Sequence, residues 1–475
     1  MTDCESCKPS SIYDLIIIGG GAAGFSAATK ASELGFSTLM VNGGLPIGGT
    51  CVNVGCVPSK ILIEMSNNYY YGARSEYNAI GGTCNTKLDF AAAMDEVRQM
   101  VHHLRKSNYV EVAETFTNFT YVEGKAKFVT PTEIEVNGKR YTGKKFVIAT
   151  GSRPRIIPFE GIDEVETLTS REIFSLDELP KHLVVIGGGA IGLEMAQAFT
   201  HFGSTVTVVE RMPHILPNAD PEIAHELQKA LEKEGIRFIL NASVKRLQKS
   251  ETGEKIVQIE GREPIACSHI LMAVGITPNT DTLDLQKAGV QTDHRGFVKI
   301  NKFLQTTQPH IYAAGDVAGN MFLETIAAKE GYFAAHNALM GNQKWIDYLK
   351  VPLAVFTTPQ VAMVGYTEKE YLKSHDDCYC RTLDLATIPK AQALKEQYGI
   401  IKMMVDPETD KVVGVSIVSN LAADLIHEAT MAVKYGLTVD DIIDTVHVFP
   451  TMSEGLKRVA QAFRINVQKM SCCVV

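Results

Sequence analysis

Two stretches of the chain repeat one pattern of apolar and polar positions. Each has a continuous apolar run, a turn of consecutive glycines, and an alanine-rich segment with helical spacing. The first, DLIIIGGGAAGFSAATKASELG, begins at Asp14, and the second, HLVVIGGGAIGLEMAQAFTHFG, begins at His182. An uninterrupted run such as Leu15–Ile18 or Leu183–Ile186 predicts a parallel strand covered on both faces, because a half-exposed strand would alternate. Two strand–turn–helix units of this kind predict two nucleotide-binding domains. Between them, Phe90–Glu114 reads as helix and FVIATG, ending at Gly151, as a strand; Tyr312–Asp316 closes another apolar segment. From about Trp345 the pattern changes. LAVFTTPQVAMVGYT and VVGVSIVS read as strands, and Leu421–Tyr435 as an amphipathic helix, which makes a third module. The expected fold class is α/β, with two Rossmann-like nucleotide-binding domains and a C-terminal α+β domain.

The turns carry chemistry. Gly19, Gly21 and Gly24 fit G-x-G-x-x-G, as do Gly187, Gly189 and Gly192. The first glycine of such a motif permits the tight turn, the second lets a pyrophosphate approach the backbone, and the third lets helix and strand pack closely. The phosphate then sits at the helix N-terminus, where free N–H groups and the helix dipole favour an anion. An acidic residue for the ribose is expected about 20 positions later. The second unit supplies Glu210, which suits the 2′-hydroxyl of NADH, but its neighbour Arg211 suits the 2′-phosphate of NADPH. The first unit has Asn42 there, which can still hydrogen-bond a ribose.

Composition narrows the partners. Across 475 residues the net charge is −8, which leaves no basic footprint for nucleic acid. No apolar run is long enough to span a bilayer, and MTDCESCKPS lacks the features of a signal peptide, so a cytoplasmic protein is expected. Of the ten cysteines, six stand in close pairs: Cys4/Cys7, Cys51/Cys56 and Cys472/Cys473. In a reducing compartment such pairs point to redox or metal chemistry. Cys84, Cys267, Cys378 and Cys380 are expected to be ordinary thiols.

The pair Cys51/Cys56 lies in GGTCVNVGCVPSK, Gly48–Lys60. A regular helix does not easily bring these positions within disulfide reach, and Gly55 and Pro58 supply the distortion that could. A helix N-terminus there would lower a thiol pKa. A zinc half-site is the alternative, although no second cluster stands at metal-ligand spacing.

These residues resemble the pyridine nucleotide–disulfide oxidoreductases over nearly the whole chain, Tyr13 to Ala462. The resemblance includes ATG at Ala149–Gly151, AAGD at Ala313–Asp316, and Glu194 in the second nucleotide unit. It implies FAD on the first unit, held through Gly49, Thr50, Lys60, Thr150, Gly151 and Asp316, and NADPH or NADH on the second, near Gly275. It implies residues 11–160 with 275–344 for FAD, 161–274 for NAD(P)H, and 345–475 for dimerisation, after a tail at 1–10. Lys60 and Glu194 would pair near the flavin. Cys56 would be the thiolate in charge-transfer contact with it, and Cys51 the outward thiol. Ile276 departs from the arginine the family often has, which reads as a local packing change.

A disulfide reductase must protonate a departing thiolate, for which this family uses a His-Pro near the C-terminus backed by a glutamate. Here the segment is HVFPTMSEG: Glu454 is present, Phe449 takes the histidine position, and His447 stands two residues earlier. Reduction of a thiophilic metal ion needs sulfur ligands and no such acid. Together with the terminal Cys472 and Cys473, this resembles the branch of the family that reduces Hg(II). Tyr109, fifty-three residues after Cys56, matches a tyrosine that branch uses near the metal, whereas the second tyrosine it often carries near Phe449 is absent. The resemblance implies Hg(II), delivered as a thiol complex, as substrate for Cys51, Cys56, Cys472 and Cys473. It also implies a homodimer in which one subunit's tail serves the other's disulfide. Cys4 and Cys7 are either a remnant metal-capturing arm or an incidental pair. The alternatives are a lipoamide- or thioredoxin-type disulfide reductase, and a thiol-rich metal-binding flavoprotein without turnover.

Overall fold

The computed structural model describes residues 12–72, 87–251 and 253–466. Cys4, Cys7, Cys84, Cys472 and Cys473 lie outside the described residues. The chain divides into two compact units, one from the segments Met1–Ser59, Asp95–Arg155 and Gly275–Tyr348, the other from Lys60–Met94, Ile156–Val274 and Leu349–Val475.

In the first unit the strand Tyr13–Ile18 lies between Thr38–Asn42 and Lys139–Ile148, all parallel. Phe119–Glu123 extends the sheet beyond the former and Ile311–Ala313 beyond the latter, also in parallel. Both faces of the central strand are covered, as its unbroken apolar run requires. Leu15 and Ile17 pack with Ala23, Ala27 and Ala31 of helix Ala22–Glu33 and with Ala334 and Ala338 of helix Glu324–Met340. Ile16 and Ile18 face Phe128, Phe146 and Val298. The alanines matter because the two helices nearly touch: a Cβ on Gly331 would stand 1.9 Å from the Ala23 carbonyl oxygen.

The second unit holds two sheet systems. Four parallel strands run in the order Arg237–Ile239, Thr205–Val209, His182–Ile186, His269–Met272, accompanied by a three-stranded antiparallel sheet. The C-terminal part is a five-stranded antiparallel sheet, ordered Leu353–Val355, Gln360–Gly365, Val412–Ser419, Ile400–Val405, Tyr379–Asp384. Helix Ala422–Tyr435 covers it through Ala422, Ile426, Ala429 and Val433. The α/β class, two Rossmann-like sheets and a C-terminal α+β part, is the architecture the sequence predicts. Among the described residues, no helix is long and apolar enough to cross a membrane.

Candidate active site

The cysteine segment is a broken helix. Gly48, at φ 94°, opens helix Gly49–Val54, which stops at Gly55, and a 17-residue helix starts at Cys56. Gly55 must lack a side chain, since a Cβ there would lie 2.8 Å from the Thr50 carbonyl oxygen. Pro58 falls in the first turn of the second helix, where a missing N–H costs nothing. The break brings the two sulfurs together: Cys51 and Cys56 are free thiols with their side chains hydrogen-bonded. Sharing that bond and partial burial both push the Cys51 thiol far above its usual range. Cys56 stands at the N-terminus of the longer helix, where free N–H groups and the helix dipole favour a thiolate. Asn53 fixes the short helix, donating to the carbonyl of Gly49 at 2.8 Å and accepting from Arg105 Nη1 at 2.9 Å.

Tyr109 stands against this pair. Helix Phe90–Arg105 continues into a π-helical turn, Lys106–Val110, a deviation that often marks functional positions. From it the Tyr109 ring packs edge-on to Phe25, with centroids 4.9 Å apart. Partial burial and the nearby charges of Cys51 and Glu324 push its hydroxyl up to about 12. Glu324 itself, the first residue of its helix, is half-buried and raised by that burial. Sequence reasoning missed Glu324, because an isolated glutamate opening a helix carries no signal of its own.

In the other unit, Lys60 Nζ meets Glu194 Oε2 at 2.7 Å, with the carboxylate almost fully buried. The same carboxylate accepts the Phe356 N–H at 3.0 Å, and the ammonium lies over the Phe356 ring at 4.5 Å. One residue, Phe356, thus seats both members of the pair.

The two glycine turns are built alike. Gly19 and Gly187 have φ of 114° and 112°, and a Cβ on Gly24 or Gly192 would strike the carbonyl oxygen of Gly19 or Gly187 at 1.8 and 2.1 Å. The helices they open, at Ala22 and Ala190, have no side-chain cap and no acidic residue in the first turn. Their N–H groups remain available for a phosphate, so these residues fit a dinucleotide. Asn42 accepts the Gly20 N–H at 3.0 Å, and Glu210 accepts those of Gly188 and Met212 at 2.6 and 2.7 Å. Each strand-end residue therefore holds the turn itself, leaving only its remaining lone pairs for a ribose. Arg211 is exposed and has no ion-pair partner among the described residues. In the first unit, Asp316 is raised by burial and accepts from Ser152 Oγ at 2.6 Å, and Thr150 Oγ1 donates to the Asn279 carbonyl at 2.8 Å. Gly49, Gly151 and Gly275 all have positive φ, and Thr50 follows Gly49 in the first turn of the cysteine helix.

His447 is held at both nitrogens, Nδ1 by the Thr445 carbonyl at 2.9 Å and Nε2 by Glu428 at 2.8 Å. Phe449 is 55% exposed, beside Val446 at 90% and Val448 at 76%. Glu454 accepts from Arg458 at 2.7 Å, while its buried Oε2 has no hydrogen bond among the described residues. Cys267 is a core thiol pushed up to about 12 by burial.

Comparison with known proteins agrees with this anatomy. The family described as pyridine nucleotide-disulphide oxidoreductase matches residues 13–340, and its dimerisation domain matches 351–460. A mercuric reductase of Lysinibacillus sphaericus is 40% identical over 463 residues, covering 97% of this chain and 84% of the relative. The mitochondrial dihydrolipoyl dehydrogenase of Pisum sativum is 38% identical, covering 94% and 91%. Among solved structures, the Cu(II) complex of an HOCl-induced flavoprotein disulfide reductase from Escherichia coli superposes with a TM-score of 0.85. It is 29% identical and covers 95% of this chain and 99% of that one.

Proposed function

The chain belongs to the pyridine nucleotide–disulphide oxidoreductases, which bind FAD and take electrons from NAD(P)H, and within that family we propose that it reduces thiol-bound Hg(II) to Hg(0). The observation that carries this reading is the C-terminal acid position: Phe449 occupies it, and His447 is bound by its own neighbours. A reaction with no thiolate leaving group to protonate tolerates that loss.

Gly19, Gly21 and Gly24 would hold the FAD pyrophosphate. Asn42, Gly49, Thr50, Lys60, Thr150, Gly151 and Asp316 would line the rest of the cofactor, and Gly187, Gly189, Gly192, Glu210, Arg211 and Gly275 the nicotinamide nucleotide. FAD, when bound, supplies two electrons taken from NAD(P)H. The protein's own part is to hold the metal. Cys56 as thiolate and Cys51, once deprotonated, each displace one thiol ligand from Hg(II), so that every sulfur–mercury bond formed replaces one broken. Two electrons then convert Hg(II) to Hg(0), and the two cysteine sulfurs are left as ligand-free thiolates. Tyr109, protonated at neutral pH, offers its hydroxyl beside that pair. Lys60, held by Glu194, places a positive charge one turn along the cysteine helix. Cys472 and Cys473 would capture Hg(II) and pass it by the same exchange to the reduced cysteine pair, Cys51 and Cys56, of a partner subunit. The dimerisation domain and the exposed apolar run Val446, Val448, Phe449 suit such a homodimer.

A dihydrolipoyl dehydrogenase reading is the second, favoured by relatives of that name at 37–38% identity. Steady-state rates separate the two. Hg(II) in excess thiol should drive fast NAD(P)H oxidation, with lipoamide and glutathione disulfide turned over poorly; efficient lipoamide turnover at neutral pH overturns the mercury reading.

A further inference from the structure

A second pair of cysteines meets far from the redox segment in sequence. Cys380 lies on Tyr379–Asp384, the edge strand of the five-stranded sheet, and Cys378 immediately precedes that strand. Residues two apart on a strand share a face, and the two sulfurs stand 3.4 Å apart. Glu368 closes the group: its carboxylate and both sulfurs lie within 4.8 Å of one another, all half-buried. We propose that Cys378, Cys380 and Glu368 form a metal site for a thiophilic d10 divalent cation such as Cd(II) or Zn(II).

The spacing suits the ion. Two thiolates on one tetrahedral zinc, at about 2.3 Å each, stand about 3.8 Å apart, so the observed separation need open by only a few tenths of an ångström. The charge suits it too. Buried Lys402 is ringed by Asp220 at 2.9 Å, Glu222 at 2.5 Å and Glu368 at 2.7 Å, so three carboxylates surround one ammonium. That excess of negative charge favours a cation in the neighbouring sulfur pair, and Lys402 holds Glu368 in place. Burial pushes the Cys380 thiol up to about 12 and raises Cys378 as well. Both are therefore protonated without metal. Each S–H is replaced by an S–metal bond, two protons leave per ion, and affinity rises with pH. Two sulfurs and one carboxylate leave a position for water, as in exchangeable sites. The site does not depend on which substrate the redox centre reduces.

The test uses FAD-loaded protein with Cys51–Cys56 kept oxidised, and with Cys4, Cys7, Cys472 and Cys473 changed to serine. Cadmium titration should give one ion per chain, a thiolate-to-cadmium absorption band and two protons released. Cys378→Ser with Cys380→Ser should abolish all three, and Glu368→Gln should weaken binding about tenfold. In the chain with Cys378 and Cys380 intact, bound cadmium should also protect both from alkylation, read by peptide mass spectrometry, which avoids any folding defect of the serine variant. The proposal is overturned if cadmium binding survives loss of both cysteines, if micromolar cadmium gives no band, or if alkylation of Cys378 and Cys380 is unprotected. It is equally overturned if the two thiols close to a disulfide and take up no metal.

Discussion

Gly48 couples the cysteine helix to Tyr109, and Gly48→Ala should damage both. The backbone there has φ 94°, and an added Cβ would lie 2.3 Å from Val52 Cγ1 and 3.2 Å from Cδ2 and Cε2 of Tyr109. A left-handed conformation costs an L-residue about 1–2 kcal/mol. Forcing a methyl against Val52, which is 2% exposed and cannot swing away, adds about 1–3 kcal/mol of overpacking. The expected loss is about 2–5 kcal/mol, split between strain that nothing relieves and a clash that a smaller neighbour relieves. Urea denaturation of the FAD-loaded protein at fixed concentration measures it, comparing Gly48→Ala, Val52→Ala and the double variant. The double variant should be more stable than the sum of the singles by about 1–2 kcal/mol, because Val52→Ala removes the clash. Turnover should fall in Gly48→Ala through displacement of Tyr109 and partly return in the double variant. Strict additivity of the two substitutions, or a cost for Gly48→Ala under about 0.5 kcal/mol, would refute the packing argument.

Lys60→Met leaves the buried Glu194 carboxylate with only the Phe356 N–H among the described residues. Lys60 is one-third exposed, so solvent screening limits the loss to about 1–3 kcal/mol, and adding Glu194→Gln should recover most of it in thermal denaturation. The Tyr109 hydroxyl, pushed up to about 12, should ionise after an ordinary tyrosine near pH ~10. Its raised value means that its contribution to stability is complete below the unfolded pKa and is lost as pH rises toward 12. A phenolate difference spectrum against Tyr109→Phe that ionises near pH ~10 would contradict this. Glu210 and Arg211 make opposite demands on the nucleotide. Arg211→Ala should lower the NADPH-to-NADH ratio of kcat/KM about tenfold and Glu210→Gln should raise it, with unchanged ratios excluding both residues from the ribose site.

Most of the scaffold was legible because strand burial writes itself into the sequence. Leu15–Ile18 and Leu183–Ile186 are apolar without alternation since both faces of each strand are buried, and Gly24 and Gly192 are fixed by contacts no side chain survives. The break that joins Cys51 to Cys56 was readable from Gly55. Three features were not. The π-turn under Tyr109 follows from packing on Phe25 and Gly48, whereas NYVEVA alone reads as ordinary helix. Asn42 and Glu210 hold the glycine turns through their own side chains, a local use that the dinucleotide motif does not specify. Cys378 and Cys380 read as unremarkable thiols because their third partner, Glu368, comes from a separate short helix.

The central claim, that this flavoenzyme reduces mercuric ion, is tested most directly by weighing product against cofactor. Purified FAD-loaded protein is supplied with NADPH or NADH and Hg(II) in excess thiol, and evolved mercury vapour is counted against oxidised cofactor under anaerobic conditions. One Hg(0) should appear per nicotinamide oxidised, since each transfer involves two electrons, and Cys56→Ser should abolish the vapour. Cofactor oxidation without mercury vapour, or vapour that persists undiminished in Cys56→Ser, would contradict the account.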